Sequence, residues 1–236
     1  MKLSNTMFCI GMVLALATVA CAIAPANWVT KVSETRYTTG AANGSASDVT
    51  EGGNITILNI NVGNRTSTDR WAGYLGNITN NAGGRLVLAN SAATIFYQWS
   101  LNISNGGEVC AGEGTTYTWT SLSAATNAEI DTAWGFGVVS DNATRTFNDA
   151  AVAVNIASTT ITPAYSADTG IQGAGTFFTT AVKDGTAAES DFLFCTNLNI
   201  SATANGYDGS TVDYELIVPT TSGAATETYY FYAEIN

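Results

Sequence analysis

The residue types able to do chemistry are few, and one is missing outright. The 236-residue chain has no histidine, which removes Ser-His-Asp and Cys-His triads, imidazole metal ligands and the commonest general base. Carboxylates remain. Glu129 with Asp131, and Asp213 with Glu215, are the nearest pairs, and two carboxylates facing each other across a sugar can hydrolyse it. On a strand, Asp213 and Glu215 would lie side by side, which a solvated sheet face explains more simply. Asp208 and Asp213 around Gly209 offer oxygens on a turn, so calcium is a further use of the acids, although the EF-hand spacing is absent. Gly170, Gly173 and Gly175 are not in dinucleotide-binding order and read as a loop; no phosphate loop or nucleophile elbow occurs. We therefore expect no catalytic residues, no metal-ligand set and no cofactor, and no enzyme.

Two further residue types carry covalent chemistry. Cys9 and Cys21 lie in an apolar leader, leaving Cys110 and Cys195. They lack zinc spacing, and two cysteines in an exported chain most simply form one disulfide, worth roughly 4 kcal/mol for a loop this long; two buried free thiols are the alternative. Asn-x-Ser/Thr occurs at Asn43, Asn54, Asn64, Asn77, Asn102, Asn142 and Asn199. This is a mild excess over what the composition gives by chance. Each is eligible for N-linked glycan in an exported chain, and several fall at expected strand ends.

The elements that would position these groups begin with Met1 to Ala26, which has the charge, apolar run and small residues of a secretory signal. A retained anchor or a lipoprotein at Cys21 are the rival readings. Removing this segment takes the net charge from −11 to −12, because Lys2 goes with it. So acidic a chain, with no Lys/Arg cluster, is unsuited to nucleic acid or anionic lipid. Only 11% of residues are charged, less than half the usual ~25%. Ser, Thr, Asn and Gly take their place, which suits a surface covered by sugar or by neighbours.

Asn27 to Tyr37 alternates as a strand does, and the glycine-rich stretch from Thr38 to Gly53 reads as a flexible linker. From residue 54 strand signals recur at sandwich spacing. They comprise Ile55–Val62, a three-stranded meander over Asp69–Ser100, Gly107–Cys110, Thr116–Trp119, Trp134–Val139, Ala151–Ile156, Thr159–Ile161, Thr176–Val182, Phe192–Ile200, Val212–Val218 and Thr228–Ile235. Leu122–Asp131 is the one window for a helix. The expectation is an all-β fold, a jelly-roll or immunoglobulin-like β-sandwich over residues 54–236 with an N-terminal extended arm. The last strand is aromatic on both faces, so either its outer face is solvated or something covers it.

Several short stretches, in order, resemble a group of exported archaeal surface proteins of β-sandwich type. These are Arg70–Thr79, Tyr97–Ser100, Gly107–Val109, Trp119, Thr144–Asn148, Asp213–Pro219 and Thr228–Ile235. The strand–tether–sandwich layout is also similar to that of glycosylated extracellular fibril subunits, in which the N-terminal strand of one subunit completes the sandwich of the next. That resemblance implies a pilus-like, head-to-tail homopolymer, with Trp28, Val29, Val32 and Tyr37 as the donor-strand anchors; pairing of this strand with its own body is the alternative. A secreted carbohydrate-binding or adhesion module, using Trp71 and Tyr74 as a stacking platform, is the rival function.

Overall fold

The computed structural model describes residues 31, 34, 68–78, 85–89, 94–100, 106–170, 175–199, 204–221 and 226–235. The fold is all-β. Twelve strands pair antiparallel throughout: β1 (Trp71–Gly76), β2 (Arg85–Ala89), β3 (Ile95–Ser100), β4 (Gly107–Gly112), β5 (Ser123–Ala124), β6 (Val154–Ile156), β7 (Thr159–Ile161), β8 (Ala167–Asp168), β9 (Phe178–Lys183), β10 (Phe192–Asn197), β11 (Tyr214–Pro219) and β12 (Tyr230–Ile235). Two short helices, α1 (Asn127–Ala133) and α2 (Ala143–Thr146), complete the described elements.

The largest sheet runs β12-β4-β10-β9-β5, with β8 also on β9. Its central strands are buried on both faces, which is why they read as continuous apolar runs and not as alternating ones. Along β10, Phe192 and Phe194 join one core cluster, and Leu193 and Cys195 join the other. The first cluster lies beneath the β1–β11 ribbon and the helices, and Leu216 and Val218 of β11 are fully buried in it. The second lies beneath the β6–β7 hairpin, which contributes Val154, Ile156 and Ile161. Cys110 and Cys195 sit opposite each other in the β4–β10 register and form the expected disulfide.

The helices are set by their caps. Thr126 and Glu129 make a reciprocal capping box on α1, Ile130 is its buried contact, and Gly135 at φ +63° follows its end. Asn142 caps α2 by accepting from the Arg145 N–H at 3.0 Å.

Three sequence expectations are corrected. The Asp69–Ser100 stretch is not one meander: β2 pairs with β3, whereas β1 pairs over its whole length with β11. Long-range pairing prevails because β11 brings an apolar face already seated in the core. Thr116–Trp119 is not a strand. Asp184 accepts from Thr118 N–H, the Tyr117 hydroxyl takes Gly114 N–H and donates to Phe192 O, and Trp119–Ser121 closes as a 3-10 turn. Trp134–Val139 is not a strand either. Trp134 and Phe136 are both buried, but Gly135 and Gly137 lie between and after them with φ near +60°, a conformation that breaks extended backbone. Ile55–Val62 lies outside the described residues.

The doubly aromatic β12 is covered by its own chain. Tyr229, Phe231 and Ala233 pack on the first cluster, while Tyr230 and Tyr232 pack on the second beside Tyr117 and Trp119.

Gly112 marks the tightest approach in this region. A Cβ there would stand 2.2 Å from the Tyr117 hydroxyl and 2.6 Å from Phe192 O. Gly112→Ala should therefore lower stability by about 1–3 kcal/mol, read as a reduced urea midpoint; an unchanged midpoint would show that this contact is not constraining.

Candidate functional site

The paired acids are each engaged in contacts within the fold. Glu129 is held by Thr126 and by an ion pair with Lys183, and the Lys183 hydrogen bond is the main reason its carboxyl lies below the usual range. Asp131 accepts from Ala143 N–H at 2.6 Å and from the Thr144 hydroxyl at 3.0 Å, so it ties α1 to the start of α2. Asp213 accepts from Ile78 N–H at 2.8 Å, just beyond β1. Glu215 corrects the expectation of a solvated face: it is 6% exposed and accepts from Tyr207 N–H at 3.1 Å. Asp208 turns back onto the N–H and hydroxyl of Ser210, whose hydrogen bonds hold its carboxyl low. Asp208 and Asp213 are thus each engaged with their own turn or neighbour, and among the described residues no group of three acids or cysteines is arranged to hold a metal.

The glycosylation candidates separate. Asn77 is exposed immediately after β1. Asn199 is half-buried after β10, and its backbone N–H donates to Asp213 O. Asn142 differs from both. Its side chain is 8% exposed, its amide nitrogen donates to Gly137 O at 2.9 Å and its oxygen caps α2, so the atom that would carry sugar is enclosed. Asn43, Asn54, Asn64 and Asn102 lie outside the described residues, as do the donor-strand anchors Trp28, Val29, Val32 and Tyr37. Mass spectrometry of peptides from the exported protein should find glycan at Asn77 and none at Asn142; the reverse pattern would overturn this assignment.

Trp71 and Tyr74 are not an exposed platform. Trp71 donates to Asp141 O at 2.6 Å and meets Phe136 edge-on at 5.5 Å, and Tyr74 meets Phe231 edge-on at 4.9 Å. The Tyr74–Phe231 contact instead defines a flank. β11 packs over β10 and β9, and its far side is tied down by the Thr179 hydroxyl accepting from Ile217 N–H at 3.0 Å. The β1–β11 ribbon therefore extends, through β1, toward β12. β1 and β12 are each paired on one side only among the described strands, and the Tyr74–Phe231 contact brings the two strands together. Here too the core is incompletely covered: Trp71, Ala72, Tyr74, Phe231 and Ala233 all pack on the first cluster yet stay partly exposed.

Two arm residues bear on this flank. Lys31 and Glu34 pair with each other. The Tyr74 hydroxyl is raised first by burial and then by the Glu34 carboxylate, with Lys31 acting oppositely. The arm positions 31 and 34 are therefore within electrostatic reach of β1.

Sequence reasoning missed three acids held in or near the core, Glu108 on β4, Glu113 just past it and Glu215 on β11. Glu108 is 4% exposed and is pushed up to about 7, chiefly by burial. Glu113 reaches about 7 through burial and then the charges of Glu227 and Glu189, and Glu215 reaches about 7 through burial, against the Tyr207 hydrogen bond that pulls it down. One signal was available. If Cys110 is inward for a disulfide, Glu108, two residues earlier on the same strand, shares its face.

No protein-family model matches the chain, and no curated protein or solved structure matches it.

The raised acids set the sign of the pH dependence. The folded state binds more protons than the unfolded state between the ordinary value of 4.5 and about 7. Stability from these groups is therefore full below about 4.5 and is lost as pH rises to about 7, on the order of 1–3 kcal/mol for each fully buried group. Thermal unfolding should show a higher midpoint at pH 5 than at pH 8; a midpoint that climbs over this interval would overturn it.

Proposed function

We propose that this chain is a structural subunit of an extracellular, glycosylated, pilus-like fibril, assembled head to tail as its N-terminal strand inserts into the next copy. The observation that carries this reading is the pair β1 and β12, each unpaired on one side among the described strands and joined by the Tyr74–Phe231 contact over a partly exposed apolar cluster. A strand added there gains backbone hydrogen bonds along an open edge and covers the half-buried aromatic side chains. The arm has the composition for this role, with Trp28, Val29, Val32 and Tyr37 separated from the body by a glycine-rich tether. Glu34 acts on Tyr74 within one chain, which fits the alternative in which the arm pairs with its own body as well as the donated strand. Because the donated strand and the receiving edge are different surfaces, the contact does not close on itself and propagates as a filament.

On this reading the body is a sandwich of jelly-roll or immunoglobulin-like kind, exported after loss of its leader. Its low charge fits a surface covered by N-linked glycan and by other copies, with no nucleic-acid or lipid partner and no catalytic role.

The alternative is a secreted carbohydrate-binding or adhesion module. With Trp71 and Tyr74 packed inward, its platform moves to β3, where Phe96 is 83% and Tyr97 55% exposed. A glycan array with Phe96→Ala and Tyr97→Ala controls separates the two readings.

Deleting residues 27–37 from the exported protein should leave a folded, monomeric body and abolish filaments in negative-stain images. Filaments of normal length from the truncated chain would end the donor-strand reading.

A further inference from the structure

The β6–β7 hairpin is held on the large sheet by two acids. Glu108 accepts from Asn155 N–H at 3.0 Å, and Glu234 accepts from Ala157 N–H at 2.8 Å. These N–H groups belong to alternate residues along one edge of the hairpin. The two acids are direct partners across the β4–β12 register, so they stand side by side on one face. Like charges at such positions oppose each other unless a cation lies between. Among the described residues no ion pair engages either acid; those present hold Lys31, Arg70 and Lys183, each with another acid.

The remaining neighbours are neutral. On β10 the partner of Glu108 is Asn197, whose amide donates to Ala153 O. On β12 the nearest titratable group is Tyr232, whose hydroxyl donates to Gly114 O. The hairpin has no charged side chain from residue 151 to 161. Glu108 uses one oxygen on Asn155, and its other oxygen, Oε2, is buried with no hydrogen-bond partner. A carboxylate oxygen in that position lacks a donor, and a proton on it supplies one.

We propose that Glu108, protonated beside the Glu234 carboxylate, acts with it as an acid-set clasp on the β6–β7 hairpin, closed in acid and loosened as the pH rises. With the proton on Glu108 its buried oxygen brings no second charge beside Glu234, and both acids retain an oxygen for the hairpin N–H groups. Loss of that proton puts a buried charge on Glu108 beside the half-buried Glu234, with no ion pair to either acid among the described residues. The two acids part or draw in water, and the hairpin loses its edge contacts. Burial, and then the Glu234 charge, places this change near neutrality, with the Asn155 hydrogen bond pulling it lower. What the hairpin covers is the second core cluster, including Tyr232 and the Cys110–Cys195 disulfide. The clasp therefore governs access to that face, and it does so whether or not the chain polymerises.

Amide hydrogen exchange of the intact, disulfide-bonded chain tests this. After correction for intrinsic exchange, opening of residues 154–161 should increase at least tenfold from pH 5.5 to pH 8.5, while β10 stays protected. Glu108→Gln keeps the neutral, hydrogen-bonding form and should flatten that profile, and Glu215→Gln should leave it unchanged. Should Glu108→Gln not fold, Glu234→Gln serves in its place by moving the transition to lower pH. An unaltered profile in Glu108→Gln, an unmoved transition in Glu234→Gln, or an equal flattening by Glu215→Gln would each overturn the clasp.

Discussion

Strand β4 is enclosed on all sides: it is hydrogen-bonded to β12 and to β10, and every one of its six residues is buried. That enclosure governs its neighbours. A strand with core on both faces requires partners that also offer apolar groups on both faces. β10 answers with Phe192, Leu193, Phe194 and Cys195, and β12 answers with alternating aromatic residues. The disulfide joins facing residues of β4 and β10 and so fixes their register, since a slip by one residue would exchange the two faces. The burial of Glu108 has the same origin, because it occupies an inward position on a strand with no outward face.

Acidic side chains in this fold mostly find backbone N–H groups and not cations. The chain has 19 acids and 8 bases, so ion pairing cannot satisfy them all. Asp131 and Asp213 instead bind the starts or ends of neighbouring elements, and Asp184 and Glu215 fix turns. A carboxylate that accepts one or two N–H bonds is stabilised without a counter-ion. Where burial is deep and such donors are few, as at Glu108, the neutral form gains. The same shortage of cations therefore explains both the many capped turns and the small set of acids that titrate near neutrality.

Much of the architecture was legible in the residues, and the exceptions have definite causes. β6, β7, β9, β10, β11 and β12, with their β-branched or aromatic runs, read correctly as strands, whereas the two-residue β8 was not expected, and the Cys110–Cys195 pair read correctly as a disulfide. α1 overlaps the one expected helix window because Thr126 and Glu129 signal a start, but Ser123–Ala124 within that window is β5, and α2 lies outside it. Trp134–Val139 misled because two large side chains separated by glycine imitate a strand's alternation, whereas left-handed glycines fold the chain back. The partner of β1 was not legible, because turns are local and pairing with β11 spans most of the chain. For the candidate site, the free edges of β1 and β12 depend on which strands meet. Neither composition nor spacing reports that. The enclosed amide of Asn142 likewise follows from a helix cap, which the glycosylation pattern does not encode.

The Cys110–Cys195 crosslink has a mechanical meaning. Covalent bonds divide the chain into an outer path, through β1 to β4 and then β11 and β12, and an inner segment closed off between the two sulfurs. Tension pulling on the two ends of the chain would run along the outer path and cross at the sulfur bridge. The inner segment, with both helices, the β6–β7 hairpin and β9, would carry none of the load, and the chain could extend only as far as its outer path allows.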